Sequence, residues 1–263
     1  MPPSFTINAA LNRPWWQAAR TLVFPEGCLV CGGRPETEHF CEPCRGDLQK
    51  CQGPQCVRCA LIWDPVTAGF GPEVPCPHCR KRLPPFDEAL AIGIYEGPLR
   101  SLCLRIKSRH GAWLAPRLID VLVNSHHQVF ERWMTNAAAA GLPPLVVPVP
   151  LHWTRRWWRG YNQAEALAQA IAGRLDLTLG KPLRRIQRTR KLAPLTRTER
   201  QVELKDAFRV QPWSRHPVAG RDVILVDDIL TTGATCNTAA RALKRGGARK
   251  VYTVVLARAK DPR

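Results

Sequence analysis

The stretch V-I-L-V-D-D-I-L-T-T-G-A-T fills residues 223–235, and the rest of the chain is best interpreted around it. Its first four residues are apolar and mostly β-branched, which is typical of a short buried parallel strand. Asp227 and Asp228 follow, then a turn with three threonines and a glycine, and a helix is predicted to begin near Cys236. Such a turn before a helix makes a phosphate cradle, because the helix start offers free N–H groups and a partial positive charge. The two acids are placed to accept hydrogen bonds from sugar hydroxyls or to help hold a metal ion.

This stretch resembles the phosphoribosyl-pyrophosphate (PRPP) motif of type I phosphoribosyltransferases. An isolated T-x-G would fit an ordinary strand–turn–helix of an α/β core. Here two acids, three threonines and a glycine follow a hydrophobic strand in the order of the motif. The pattern therefore favours a site for a phosphorylated sugar, although a fold of this kind can bind a ligand without retaining catalysis.

Composition limits the class of protein. The 263 residues allow one large domain or two smaller ones, and a net charge of +18 indicates attraction to nucleotides, nucleic acid or an anionic membrane. No run approaches the roughly 20 apolar residues of a membrane span, and the start lacks a secretory signal pattern. We therefore expect a cytoplasmic protein, in which the eleven cysteines need an explanation other than disulfides.

Eight of these cysteines form four C-x-x-C pairs, and two such pairs can complete a tetrahedral set of thiolate ligands. Sequential pairing predicts two structural zinc ribbons, and crossed pairing stays open. The predicted ligands are Cys28, Cys31, Cys41 and Cys44 for one ion and Cys56, Cys59, Cys76 and Cys79 for the other. His39 and His78 are alternative ligands that fit exposed loops better. A C-x-x-C oxidoreductase is a weaker alternative, since no βαβ pattern surrounds the pairs.

The segments that follow alternate between strands and helices. Lys107, Arg109 and His110 stand between two predicted helices, where they face either a phosphate or solvent. The predicted elements are strands over Ala89–Tyr95, Leu145–Val149 and Val251–Leu256, helices over Pro98–Ile106 and Trp113–Val123, and a loop over Thr135–Pro144.

A second strand–loop–helix unit begins at Leu145. Its loop reads H-W-T-R-R-W-W-R-G-Y-N-Q over residues 152–163, and Arg155, Arg156 and Arg159 alternate with aromatic residues. Guanidinium groups suit phosphates and aromatic faces suit bases or sugars, while a solvated loop is the alternative. Asn162 is a predicted N-cap of the following helix.

The basic segment 184–205 has little periodicity and separates the two units. It is interpreted as a flap that closes over an anionic ligand, with an exposed linker as the alternative. The order of elements predicts an α/β fold with an open, mainly parallel sheet, whose ligands bind at the carboxyl ends of the strands. The predicted domains are a double zinc-ribbon module at 20–83 and a phosphoribosyltransferase-like domain at 84–263, with its core at 145–260.

Taken together, the cysteine pairs, the R-G-Y-N-Q run at 159–163, the basic flap and the V-D-D-I-L-T-T-G-A-T motif resemble the ComF competence-protein family. The resemblance covers nearly the full chain. It implies a zinc ribbon followed by a type I phosphoribosyltransferase-like domain, with a connection to DNA uptake, recombination and the proteins of the uptake machinery.

The resemblance also implies roles for individual residues. Asp227 and Asp228 would contact the ribose hydroxyls, and magnesium would enter bound to PRPP. The residues that would hold the 5-phosphate are Thr231, Thr232, Gly233, Ala234 and Thr235. Arg155, Arg156 and Arg159 would face the pyrophosphate, and Arg190 and Lys191 would belong to the mobile loop.

Two positions depart from the family pattern. Leu192 stands where the family often has glutamine, and Glu203 stands where it often has asparagine. These departures leave the acid pair intact but weaken any statement about the acceptor of the ribosyl group. The expected function is thus transfer of a pentosyl group from PRPP to an unidentified acceptor. The alternative is a non-catalytic protein that binds single-stranded DNA through a vestigial fold and basic zinc ribbons.

Overall fold

The computed structural model describes residues 27–36, 39–62, 75–151, 160–186 and 207–260. The chain forms two compact units, with the boundary between Arg45 and Gly46. The first cysteine tetrad lies in the first unit, and the second tetrad lies in the same unit as the sheet. The predicted domain bounds therefore stay a prediction.

Helices and strands are interspersed along the described chain, as expected for an α/β protein. The helices are α1 (Glu42–Lys50), α2 (Pro77–Lys81), α3 (Gly97–Arg105), α4 (Leu114–Ser125), α5 (His127–Ala138), α6 (Gln163–Leu175) and α7 (Ala234–Arg245). The strands are β1 (Glu88–Ile94), β2 (Leu145–Pro148), β3 (Thr178–Leu179), β4 (Leu183–Arg185), β5 (Phe208–Val210), β6 (Asp222–Val226), β7 (Ile229–Leu230) and β8 (Lys250–Arg258). None of the described helices combines the length and hydropathy needed to cross a membrane.

Six strands form one parallel sheet in the order β1-β8-β6-β2-β3, with β7 also paired to β8. In the centre, Val223 of β6 pairs with Val251 of β8 on one side and with Leu145 of β2 on the other. The separate antiparallel pair is β4 with β5. This arrangement confirms the predicted open, mainly parallel sheet.

Both faces of the sheet are covered, as the unbroken apolar runs of its strands require. Val223 and Leu225 point toward α7 in one buried cluster. On the opposite face, Trp133 of α5 stacks on Tyr252 of β8 with ring centroids 4.3 Å apart. The carboxyl ends of the strands are left free of this packing, and the loops after β2 and β6 begin there.

The edge strand β1 is protected by the segment that bears the second cysteine tetrad. The Ala89 N–H donates to the Val57 carbonyl at 3.0 Å, and the Gln55 side-chain amide pairs with both backbone groups of Ala91, at 2.7 and 3.1 Å. These bonds satisfy groups that an open edge would expose. A Cβ added at Gly93 would lie 2.5 Å from the Cys51 carbonyl oxygen, so glycine is needed for this close approach.

One predicted loop is partly wrong. Residues 135–138 belong to α5, which the sequence analysis did not predict, and the loop begins only after Ala138. Phe130, Trp133 and Ala137 are buried at helical spacing, and the alanines favour a helix. The Gly and Pro residues that suggested a loop lie beyond the helix end. The other predicted helices and strands are present, with ends that differ by one or two residues.

Candidate functional site

The acid pair lies directly after β6, at the carboxyl ends of the parallel strands. The Asp227 N–H donates to the Val254 carbonyl at 3.1 Å, and the Asp228 carbonyl accepts from the Leu256 N–H at 3.0 Å. Both acids are thus fixed by their backbones to the central strand β8. Their side chains extend beyond the strands, where ligands of open parallel sheets bind.

Asp228 is buried and is the most highly connected side chain of the site. Its Oδ1 accepts from the Ile229 N–H at 2.8 Å. Its Oδ2 accepts from Gln163 Nε2 at 3.1 Å and lies 3.2 Å from Lys107 Nζ. A buried carboxylate with a cation and two further donors is held in one orientation, and it keeps capacity for one more donor.

Asp227 differs because it has no cation within ion-pair distance in the described part of the chain. Its Oδ1 accepts from the Asp228 N–H at 2.9 Å, and its Oδ2 lies 3.8 Å from the Cys236 thiol. Burial, and then the charge of Asp228, raise the pKa of Asp227 to about 8. Burial also raises the pKa of the Cys236 thiol well above its usual value, so this cysteine is a neutral packing residue.

The turn after β7 leads directly into α7. Gly233 is the N-cap with φ +76°, a left-handed conformation that favours glycine, and it provides no side-chain cap. The Thr232 hydroxyl lies 3.4 Å from the Ala234 N–H, at the long end of hydrogen bonding. Thr231 is exposed and Thr235 half-buried. The start of this twelve-residue helix therefore keeps donors available for an anion.

The start of α6 is built in the opposite way. Asn162 is the N-cap, and its Oδ1 accepts from the Ala164 N–H at 3.2 Å. The other half of the same amide donates to the Val149 carbonyl at 3.1 Å. The predicted N-cap is present, and it uses a donor of the helix that an anion would need.

The run 159–163 thus has a structural role in its last two residues. Asn162 caps α6 and binds the end of β2, while Gln163 reaches across to Asp228. Together they join the two strand–loop–helix segments at the carboxyl ends of β2 and β6. Glu165, three residues after the N-cap, forms an ion pair with Lys181.

Several predicted site residues lie outside the described residues. They are Arg155, Arg156, Arg159, Arg190 and Lys191. Ile186, within the predicted flap, is bonded to Ala207, just after it: the Ile186 N–H donates to the Ala207 carbonyl at 2.9 Å, beside the β4–β5 pair.

The cysteines group as sequential pairing predicts. In each of the two tetrads, all four Sγ atoms lie within 4.8 Å of one another. Cys31 Sγ is 3.6 Å from Cys41 Sγ, and the same distance separates Cys59 Sγ from Cys76 Sγ. A tetrahedral zinc ion with Zn–S bonds of about 2.3 Å places its sulfur atoms roughly 3.8 Å apart. Both tetrads therefore fit zinc.

Backbone amides also point at the sulfur atoms. The Gly33 N–H lies 3.4 Å from Cys31 Sγ, and the Cys76 N–H lies 3.3 Å from Cys56 Sγ. Such donors stabilise thiolate charge around a metal. His78 is exposed on α2, and the described metal-ligand groups contain cysteines alone. Cys51 lies outside both tetrads and is buried.

Sequence reasoning missed two residues of the site. Lys107 was assigned to a turn that faces solvent or a phosphate, but it contacts Asp228, because the connection between α3 and α4 reaches the carboxyl ends of the strands. Gln163 was noted only as part of a motif. Its polar side chain is only 4% exposed, and a helix-start glutamine after a capping residue gave no separate signal.

Comparison with known proteins agrees with this architecture. The family model described as "Phosphoribosyl transferase domain" matches residues 161–263, which begin just before α6 and include the acid pair and α7. That match includes strands β3, β6, β7 and β8 of the sheet and the starts of both α6 and α7.

Curated proteins match over most of the chain. Competence protein F of Haemophilus influenzae is 32% identical over 227 residues, covering 83% of this chain and 96% of that protein. DNA utilization protein YhgH of Escherichia coli K12 is 32% identical over 242 residues, covering 90% and 99%. Competence protein ComFC of Bacillus subtilis is 27% identical over 222 residues, covering 84% and 85%. These alignments extend well beyond the residues that the domain model matches.

Proposed function

The chain belongs to the competence protein F (ComF) family, and from this membership and the geometry of the site we propose that it binds PRPP with magnesium. In this proposal the 5-phosphate lies at the start of α7, held by residues Thr231 to Thr235. The ribose hydroxyls lie against Asp227 and Asp228. The enzyme would transfer the phosphoribosyl group to an acceptor that the sequence does not identify.

One observation supports this proposal above the others. The uncapped start of α7 follows, after a short turn, a fixed pair of carboxyl groups at the carboxyl ends of the strands. Anion donors and hydroxyl acceptors only a few residues apart suit a phosphorylated sugar, which needs both. A free phosphate would need no acid pair, and a neutral sugar would need no helix start.

The proposed reaction displaces diphosphate from C1 of the ribose, so positive charge develops on the ring and negative charge on the leaving group. Asp228, oriented by Gln163, would hold the ring hydroxyls in place. Lys107, 3.2 Å from that carboxylate, supplies a positive charge at the same edge. In this scheme Arg155, Arg156 and Arg159 would stabilise the diphosphate.

Magnesium is proposed as part of the substrate. Asp228 already accepts from three donors, so the acid pair alone does not make a magnesium cage. Mg²⁺ keeps several waters and takes one or two carboxylates together with substrate phosphates. Bound to PRPP, it would neutralise the diphosphate as this group leaves.

Each cysteine tetrad is proposed to hold a structural zinc ion. Four thiolates leave no open position for substrate or water, which argues against a catalytic metal. Structural zinc in small modules contributes about 10–16 kcal/mol of apparent binding free energy, so both tetrads would depend on the ion for their order.

Calorimetric titration with PRPP and magnesium tests the proposal. The unmodified protein is expected to bind, and Asp228→Asn is expected to weaken binding by about tenfold or more, because a charged hydrogen-bond acceptor is lost. Asp120→Asn is the matched control, since Asp120 is an acid of α4 that pairs with Arg174. Absence of heat at millimolar PRPP would contradict the proposal. Pyrophosphate release with pooled bases and amines would then identify the acceptor class.

The second candidate is a non-catalytic protein that binds single-stranded DNA. It is supported by the net charge of +18 and by relatives named for competence and DNA utilization. Proteins of the DNA-uptake machinery would then be its partners. The dependence of affinity on salt distinguishes this candidate, because contacts to phosphates release counterions. A flat dependence would exclude binding through a basic surface.

A further inference from the structure

Arg258, the last residue of β8, occupies an unusual position between two parts of the second unit. Its Nε donates to the Cys59 carbonyl at 3.1 Å, and its Nη1 donates to the Leu230 carbonyl at 2.8 Å. Nη1 also donates to the carbonyls of Thr231 and Ala259. Arginine is always charged and has only donors, so one side chain can fix several carbonyls at once. Arg258 thus connects the turn that contains Cys59, a predicted metal ligand, to the phosphate loop, which is defined here as residues 231–235.

The Cys59 end depends on the second tetrad. Cys59 supplies one of the four sulfur atoms, and the next residue, Ala60, is fully buried with φ +53°. That conformation costs a non-glycine residue roughly 1–2 kcal/mol, so it persists only where the surroundings impose it. A metal bound by Cys56, Cys59, Cys76 and Cys79 supplies such a constraint. The direction of the Cys59 carbonyl therefore depends on the metal.

At the phosphate loop, Arg258 sets the direction of backbone amides through the geometry of the peptide bond. In a planar trans peptide the C=O and the following N–H point in opposite directions. Because Arg258 binds the carbonyls of Leu230 and Thr231, the N–H groups of Thr231 and Thr232 point away from it. Arg258 thereby sets the direction of two amides at the start of the proposed phosphate site.

A cavity of about 730 Å³ lies beside this link. Its wall includes Cys59 and Cys79 from the tetrad, Thr232 and Gly233 from the loop, and Arg258 itself. Among the described residues, the hydrogen bonds between the second tetrad and the phosphate loop all come from Arg258.

We propose that Arg258 couples the second cysteine tetrad to the phosphate loop, so that metal in this tetrad sets the affinity of the loop for the 5-phosphate of PRPP. Arg258 is a positioning residue, since it acts through the backbone of Thr231 and Thr232. The proposal rests on the proposed function for its ligand, and on hydrogen bonds of the described residues for its mechanism.

A mutant cycle with calorimetry tests the coupling. PRPP–magnesium affinity is measured for the zinc-loaded protein, for C76S/C79S, for Arg258→Gln and for the combination. Each single step is expected to cost about tenfold, the size of one charge-assisted hydrogen bond, and the combination should cost no more than one step. Arg258→Lys should restore part of the loss. Additive losses, or full affinity in Arg258→Gln, would overturn the proposal.

Two further readouts separate coupling from general damage. By reciprocity, PRPP should raise the affinity of the second tetrad for zinc, measured at equilibrium by competition with a chelator, in the unmodified protein but not in Arg258→Gln. Arg249→Gln is the matched control, because Arg249 precedes the same strand at its other end and pairs with Asp222. This control should lose stability and keep the coupling.

Hydrogen exchange of the loop amides provides a test that needs no PRPP. Exchange at residues 231–234 should quicken in C76S/C79S and in Arg258→Gln, and should stay unchanged in Arg249→Gln. If PRPP fails to bind but these amides respond, the proposed ligand is wrong and the coupling stands. If PRPP binds and the amides do not respond, the coupling is wrong.

Discussion

The starts of α6 and α7 are alike in topology and opposite in chemistry. Both helices follow parallel strands, whose carboxyl ends lie on the same side of the sheet. The start of α6 is capped by Asn162, whereas Gly233 leaves the start of α7 uncapped. In our proposal, the capped start of α6 holds the chain together and the uncapped start of α7 receives the anion.

The acids sharpen this comparison. Asp227 and Asp228 precede α7, while the corresponding loop before α6 has arginines in its sequence. Gln163 at the start of α6 donates to Asp228, so the capped helix supports the acid pair of the uncapped one. In the proposed function, the segment that contains α6 would therefore support the ligand site at the start of α7.

The largest expected effect comes from placing a charge at the free helix start. Gly233→Asp puts a carboxylate where the phosphate is proposed to lie, and we expect PRPP affinity to fall by about 100-fold or more, because like charges repel at close range. Calorimetric titration measures the loss.

Gly220→Asp is the matched control for that substitution. Gly220 also has positive φ, at +72°, and a Cβ added there meets open space. It should show a similar backbone cost without loss of affinity. Equal losses in the two variants would remove the distinction between the helix starts.

A smaller effect is expected at the capped start. Asn162→Ala removes the cap and leaves the buried Val149 carbonyl without its donor, which should cost about 1–3 kcal/mol in the free energy of unfolding. Denaturant unfolding measures it, and PRPP affinity should change far less than in Gly233→Asp. Asn124→Ala is the control, since Asn124 makes an exposed contact with Arg174. If Asn162→Ala abolished binding without loss of stability, α6 would be the anion site.

A separate effect is a pH dependence of stability at Asp227. Its pKa in the folded protein is raised from 3.8 to about 8, so the folded state binds more protons than the unfolded state between these values. Stability is therefore lost as pH rises through this window, and the loss is complete above about pH 8. Asp227→Asn should remove this loss, so its stability relative to the unmodified protein should increase from pH 5 to pH 9. Denaturant unfolding at pH 5 and at pH 9 measures the free energy of unfolding of both proteins. The assignment would be contradicted if the difference between Asp227→Asn and the unmodified protein were the same at both pH values.

The sequence was sufficient for the parts of the fold that depend on local pattern. The strand before Asp227, the N-cap at Asn162 and the grouping of eight cysteines each follow from residue type and spacing. Helix α5 was missed because glycine and proline beyond its end obscured the spacing of Phe130 and Trp133.

What the sequence could not predict are contacts between distant segments. Lys107 reaches Asp228 only because the connection between α3 and α4 lies near the carboxyl ends of the strands. Arg258 and Cys59 meet through a backbone carbonyl, which has no signature in residue type. Gln55 covers the edge strand through the backbone of Ala91 in the same way. Such contacts arise from tertiary packing, which no periodicity encodes.

A crystal structure of the protein with PRPP and magnesium tests the central claim most directly. The account predicts the 5-phosphate within hydrogen-bond distance of the amides of residues 232–235 at the start of α7, with the ribose hydroxyls against Asp227 and Asp228. A phosphate at the start of α6, or a sugar remote from the acid pair, would contradict it.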